Sequence, residues 1–339
     1  MVYNEPIFLE PNYKERIWGG TKLKEIFNYP IPSNQTGEAW CISGHSNGPS
    51  LIKNGPLKGL SLAEAWNHHR ELFAHEKGEE FPLLIKILDS KKDLSVQVHP
   101  DDTYAREVEG ENYGKTECWY IIDCEEDSEI IFGHHAEDAE ELAFMANNGE
   151  WNNLLRRVKV KPGDFYYVPS GTIHAIGSGI QILETQQSSD ITYRVYDYDR
   201  VGQDGKKREL HLEQSLEVTN TPHEDPELSS IRNHYNSLNE EQLIEEEYFS
   251  VYKWDLDGVC KDLSLNSYLL ISVIEGNGEV ATKEGPYKFK KGDHFIVPAT
   301  VTTFDLLGNA SLIVSNSNQN IEQRSHAHVE ERVRSLETI

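Results

Sequence analysis

The sequence predicts a mainly β protein made of two related β-barrels with helical insertions. Three observations carry this expectation. Short runs rich in Val, Ile, Tyr and Phe recur between Gly, Pro and Asp, the spacing of an all-β sandwich or barrel. Two stretches, KPGDFYYVPSGTIHA (161–175) and KKGDHFIVPATVTTF (290–304), share Gly-Asp, an apolar or aromatic run, then Val-Pro. In small barrels Gly-Asp makes a turn and Val-Pro ends a strand into a loop. Helical patterns, by contrast, interrupt the chain at only a few places.

Taken in order, Ser61 and Glu64 form a capping box that opens a helix over 61–73. Strands are expected at 83–88, 95–99, 118–123 and 129–133. The pattern over 137–157 predicts one or two helices. Strands at 164–169, 179–186 and 191–198 follow, then a helix over 209–220. The polar, Pro-containing stretch 222–245 reads as a domain linker. Beyond it lie strands at 268–276 and 294–298. The last residues, 319–339, form a polar tail whose His326 and His328 lack an apolar strand and read as solvated.

The length of 339 residues suits about two domains. With 57 acidic and 32 basic residues the net charge is -25, a balance that repels nucleic acid and anionic membrane surfaces. An anionic substrate would therefore need a local cluster of Arg and Lys. Cys41, Cys118, Cys124 and Cys260 are scattered without a CxxC pair and read as reduced thiols. No apolar run approaches the ~20 residues of a membrane span, and the first twenty residues carry no signal-peptide core. A soluble, cytoplasmic protein is expected.

The chemistry begins at DLSVQVHPDD (93–102), where Val96 and Val98 alternate with Ser95, Gln97 and His99. Alone, this is equally the wet face of an ordinary antiparallel strand. Downstream, Lys115 and Glu117 lie two apart and share a strand face, and His174 follows a strand in a Gly-bounded turn. Gln97, His99, Glu117 and His174 together offer one amide oxygen, two imidazoles and one carboxylate. Such a set suits one divalent metal, zinc first, with manganese, iron or cobalt as alternatives. The absence of a thiolate suits an open catalytic site better than a closed structural one. A surface carboxylate at 117 and a turn histidine at 174 remain the plain alternatives.

These motifs together resemble the type I mannose-6-phosphate isomerases, a metal-dependent branch of the cupins, in their short bacterial form. The likeness runs from ERIWGGTKL and TGEAWCISGHSNGPS through PLLIKILDSKKDLSVQVHPDD, GKTECWYII and VPSGTIHAIG to QQSSDITYRVYDYDR, and ends near LIVSN. It implies two cupin jelly rolls, a catalytic metal-binding one over 1–240 and a C-terminal one over 241–318, and the second reads as metal-free because Thr303 stands in the repeat where the first copy has His174. It implies that Gln97, His99, Glu117 and His174 bind the metal. Lys115 matches an active-site lysine and Ser95 a phosphate or substrate contact. Glu184, Asp190 and Arg194 match positions lining the substrate pocket, and Arg200 falls where longer members carry a lysine near the phosphate. Two departures stand out: Gly114 replaces a histidine common before the lysine, and TYRVYDYDR replaces a different loop.

The implied reaction interconverts mannose 6-phosphate and fructose 6-phosphate by moving a proton between C2 and C1 through an enediol. Its catalytic residues would be Arg194 and Lys115, which add positive charge near the enediolate, and Glu184, which transfers the proton or else orients Arg194. Asp190, Ser95 and Arg200 would bind substrate, the last by a charge-assisted fork. Lys86 could add positive potential but is not assigned a role, and His45 reads as a turn histidine. The alternative from another class is a non-catalytic sugar-phosphate sensor, which would lack ligands or the proton-transfer group. A cupin oxygenase would need an iron site that activates dioxygen, which Lys115 and Arg194 do not suggest.

Overall fold

The computed structural model of the chain describes residues 3–201 and 205–318. The expected polar tail, with His326 and His328, lies outside the described residues. By contact the chain divides into two compact units. One gathers residues 12–40, 83–201 and 205–227, and the other 3–11, 41–82 and 228–318.

The first unit is two antiparallel sheets packed face to face. The six-stranded sheet runs Phe165–Val168, Glu117–Cys124, Ile180–Gln187, Leu83–Ser90, Asn12–Gly20 and Thr36–Ser43 in spatial order. The five-stranded sheet runs Tyr193–Tyr196, Val96–Val98, His174–Ile176, Glu129–His134 and Leu155–Lys159. Leu88, Trp119, Ile121 and Ile182 from the first meet Ile130, Phe132 and Ile176 from the second in one buried cluster. The architecture is thus mainly β, as expected, but the ladders stay open. The interior is closed by sheet-on-sheet packing, as in a jelly roll, rather than by a continuous hydrogen-bonded barrel.

The back of the five-stranded sheet is also covered. Val96, Val98, Ile131, Ala175, Tyr193 and Val195 pack with Leu142 and Ala146 of helix Ala139–Asn147 and with Leu154 of helix Trp151–Leu154. Leu216 of helix Leu212–Val218 packs on the same cluster. The apolar side of strand Val96–Val98 therefore faces helices, and its polar side faces the space between the sheets. That inverts the simple reading of greasy-in and wet-out, because a strand buried on both faces can carry polar residues inward only where they have work or partners.

The second unit is built on one long antiparallel sheet. Strands Phe249–Ser264, Thr303–Ser317 and Leu269–Thr282 are neighbours, with His294–Val297 and Ile7–Glu10 beyond. Register shifts between Cys260 and Leu263, and between Val273 and Glu275, mark bulges where such strands bend. The bent sheet surrounds a core that includes Tyr252, Trp254, Phe289, Phe295 and Phe304. From residue 231 on, the stretch read as a linker is instead part of this sheet: Ile231–Tyr235 pairs with Leu238–Glu245 as its margin. Its polarity misled because an edge pair is half solvated, and its buried Glu240 is satisfied by the Trp254 indole N–H at 2.8 Å.

The internal repeat is a shared turn. Gly163 and Gly292 have φ of 92 and 84°, the left-handed region that glycine enters without strain. Asp164 Oδ2 accepts from the Lys161 N–H at 3.0 Å, and Asp293 Oδ2 from the Lys290 N–H at 2.9 Å. The capping box at Ser61 and Glu64 also forms, opening helix Leu62–His68, and a short 3-10 turn, Arg70–Phe73, completes the expected helical span. No helix among the described residues is long and apolar enough to cross a membrane.

In the second unit the repeat places His294 in the core, where Ser272 Oγ lies 2.8 Å from its Nδ1. Burial, and then the charge of Lys53, depress its pKa from 6.5 to about 3. Between these two values the unfolded chain takes up a proton that the folded one refuses. Stability is therefore full above 6.5 and falls as pH drops, by about 1.4 kcal/mol per pH unit across that window. Urea unfolding at pH 7 and pH 5 should show a loss larger by about 2 kcal/mol in wild type than in His294→Gln. Equal pH dependence in the two proteins would contradict this.

Candidate active site

The polar end of the space between the two sheets of the first unit holds the site. Strand register brings its parts together: His174 pairs with Gln97, and Arg194 pairs with Gln97 from the other side. Glu117 lies opposite Gln186 on the facing sheet, and Glu184 opposite Lys86. Because side chains alternate along a strand, Glu117 points the same way as Trp119 and Ile121, and Glu184 the same way as Ile182. The same alternation that builds the apolar core thus delivers the charged groups at its end.

His99 is 1% exposed and His174 is 1% exposed. His99 Nδ1 lies 2.8 Å from the Ile191 carbonyl, and His174 Nδ1 2.9 Å from the Thr172 carbonyl. A carbonyl only accepts, so each Nδ1 carries the proton and each Nε2 presents a lone pair. Burial and the nearby charges of Lys115 and His174 hold the His99 imidazole well below its ordinary pKa range. Burial lowers that of His174 too, although Glu117 pulls the other way. Both rings are accordingly neutral donors.

Glu117 completes the set. One oxygen accepts from the Trp119 indole N–H at 2.9 Å and the other from Lys115 Nζ at 2.6 Å. Burial opposes its charge, but Lys115 and His174 outweigh burial and keep the carboxyl below its usual range. Ligating atoms of His99, Glu117 and His174 all lie within 4.8 Å of one another. Two imidazole lone pairs and one carboxylate, each oriented by a second partner, are a donor set that fits one divalent metal ion. The Gln97 amide nitrogen lies 3.3 Å from His174 Nε2, so rotating the amide half a turn offers its oxygen to the same space.

Lys115 Nζ also lies 3.1 Å from His99 Nε2. Burial works against its charge, yet Glu117 and Glu184 outweigh burial and raise its pKa. Glu184 pairs with Lys86, whose Nζ is 3.0 Å from Oε2 and donates to Gln186 Oε1 at 2.5 Å. Its ion partner is thus Lys86, not the Arg194 that the sequence reading offered as an alternative. Arg194 instead donates through Nε to Ser95 Oγ at 3.3 Å and through Nη1 to the Glu209 carbonyl at 2.8 Å. Arg200 joins Asp197 rather than the histidine cluster. Asp190 is exposed, and its charge acts on Lys14.

Two groups escaped the sequence reading. Lys86, left without a role, is 6% exposed and sits beside Glu184. Glu38 receives Arg16 Nε at 2.8 Å and the Trp40 indole N–H at 2.7 Å. The charges of Lys86 and Arg16 outweigh its burial and keep the carboxyl low. The signal for both was a charged residue inside an otherwise apolar strand, LLIKIL or TGEAW, which requires a buried partner.

Comparison with known proteins gives the same direction. Residues 7–132 match the type I phosphomannose isomerase catalytic domain, and residues 239–317 the mannose-6-phosphate isomerase cupin domain. The chain is 55% identical over 315 residues to mannose-6-phosphate isomerase ManA of Bacillus subtilis (strain 168), covering 92% of this chain and 99% of that one. It is 49% identical over 318 residues to the mannose-6-phosphate isomerase of Streptococcus mutans serotype c, covering 93% and 99%. The crystal structure of the mannose 6-phosphate isomerase from Bacillus subtilis superposes with a TM-score of 0.90 at 52% identity, over 92% of this chain and 99% of that one. Likeness of this extent, through the strands that carry the histidine cluster, means that the chain belongs to the type I phosphomannose isomerases.

Proposed function

We propose that the chain interconverts mannose 6-phosphate and fructose 6-phosphate in the cytoplasm, using one divalent metal ion, zinc before others. The observation that carries this is the convergence of two neutral imidazoles and a carboxylate at the polar end of a family fold. His99, Glu117 and His174 would hold the ion, with the Gln97 amide oxygen as fourth ligand. When bound there, the ion supplies a Lewis acid.

The chain's own residues supply the rest. Glu184 takes the proton from C2 of the aldose and returns it to C1, while a hydroxyl proton passes from O2 to O1. Lys86, with its Nζ 3.0 Å from Oε2, holds the Glu184 carboxylate in place. Arg194 and Lys115 place positive charge where the enediolate develops. Ser95 and Arg200 receive the phosphate, and Asp190 orients the sugar at the rim beside Lys14. Catalysis belongs to the segment 1–240. The 241–318 segment is structural and metal-free on this reading, because Tyr252, Trp254, Phe289, Phe295 and Phe304 occupy its core. No nucleic-acid or membrane partner is assigned, in keeping with the charge of -25.

The test is substrate choice. Remote binding energy from the phosphate should drive the chemistry, so unphosphorylated mannose should show a kcat/KM lower by at least about 100-fold. Initial rates with both sugars decide it, and comparable values would refute the assignment of a phosphorylated substrate.

A further inference from the structure

After strand Tyr193–Tyr196 the chain reaches Asp197, which is 4% exposed. Its carboxylate accepts from two arginines at once. Arg200 donates through Nε at 3.0 Å and through Nη2, and Arg208 through Nε at 2.8 Å and Nη2 at 2.5 Å. Arg200 also donates through Nη1 to the Asp93 carbonyl. The Asp197 side chain keeps 5% of its exposure, against 21% for Arg200 and 26% for Arg208. The carboxylate is therefore at the back and the guanidinium edges are in front.

Arg194 stands beside them. Burial lowers its pKa first, and the charges of Arg208 and Arg200 lower it further, against Asp197 and Glu209. Two guanidiniums thus bond one buried carboxylate and a third stands beside them on the Glu209 carbonyl, while the exposed pair Lys207–Asp199 spends its charges on itself. In a chain of net charge -25 this is a local excess of positive charge. It adjoins the site: Arg194 bonds Ser95, and Ser95 lies two residues, about 6.6 Å of strand, from Gln97. A guanidinium carries five N–H donors, so each fork on Asp197 leaves others for an anion.

We propose that Asp197 is a positioning residue that locks Arg200 and Arg208 into a double guanidinium clamp, and that Arg208 determines specificity for the phosphorylated end of the sugar. The inference rests on the isomerase reading and adds to it a residue that the family likeness did not assign.

The full-length wild type, Arg208→Ala, Arg208→Lys and Asp197→Asn are compared by initial rates with mannose 6-phosphate and with mannose, by inhibition with inorganic phosphate, and by metal content. Arg208→Ala should lower the preference for mannose 6-phosphate over mannose at least about tenfold, the loss of one charge-assisted hydrogen bond. The loss should fall on KM more than on kcat, and phosphate inhibition should weaken in step. Asp197→Asn should do the same, and Arg208→Lys, a charge without a fork, should recover only part. A preference and a phosphate inhibition within about twofold of wild type in Arg208→Ala would overturn the proposal. That variant leaves Asp197 paired with Arg200, so it decides alone if Asp197→Asn fails to fold. If wild type does not turn over mannose 6-phosphate, the isomerase reading fails by itself. The clamp is then judged by calorimetry with inorganic phosphate: binding weakened about tenfold in Arg208→Ala supports it, and equal or absent binding in both proteins overturns it.

Discussion

His174→Ala, and His99→Ala beside it, should give a folded chain that has lost its metal and more than about 100-fold in kcat. Removing even an outer partner of a metal ligand costs ~10–100-fold in affinity or activity, so removing a ligand should cost more. Here the donors are few. Without His174 only His99 and Glu117 remain from the buried cluster, together with the Gln97 amide. The fold should survive, because each imidazole stands at the polar end of the interior while Leu88, Trp119, Ile121, Phe132 and Ile182 hold the sheets together elsewhere. Elemental analysis and rates on the same preparation check this. Full metal content in either variant would contradict the ligand assignment.

Arg194→Ala should lower kcat by about 10²–10³ while leaving metal content intact. Its guanidinium touches none of the three clustered donors, and its described partners are Ser95 and the Glu209 carbonyl. On the proposed mechanism it would offer positive charge to negative charge that exists only in the transition state, so the loss should appear in kcat rather than in KM alone. A kcat within a few-fold of wild type would reduce Arg194 to a residue that holds Ser95 in place.

The sequence made the strands of the first unit legible wherever apolar and polar residues alternate within sharp Gly and Pro boundaries. The spans at 83–88 and 118–123 fall within observed strands, and 179–186 starts one residue before the strand Ile180–Gln187. It also pointed to His99, Glu117 and His174, whose ligating atoms lie within 4.8 Å of one another, with the Gln97 amide beside His174. What it hid follows from three physical causes. A strand covered on both faces loses its simple inside and outside, so the inward direction of Gln97 needed helix Ala139–Asn147 to be seen against Val96 and Val98. A polar edge pair resembles a linker, as at Ile231–Tyr235 and Leu238–Glu245. Long-range charge pairs, such as buried Lys86 with Glu184 and the part-exposed Arg16 with Glu38, join residues that no local pattern connects.

The most direct measurement of the central claim is a metal titration followed by turnover. The full chain is stripped with a chelator, metal content is checked, and zinc is added back while the conversion of mannose 6-phosphate to fructose 6-phosphate is recorded. The account predicts no turnover in the stripped protein and a linear return that saturates at one ion per chain, held by His99, Glu117 and His174. Full turnover in protein whose metal has fallen below detection would contradict it, and so would a return that saturates only at two ions per chain.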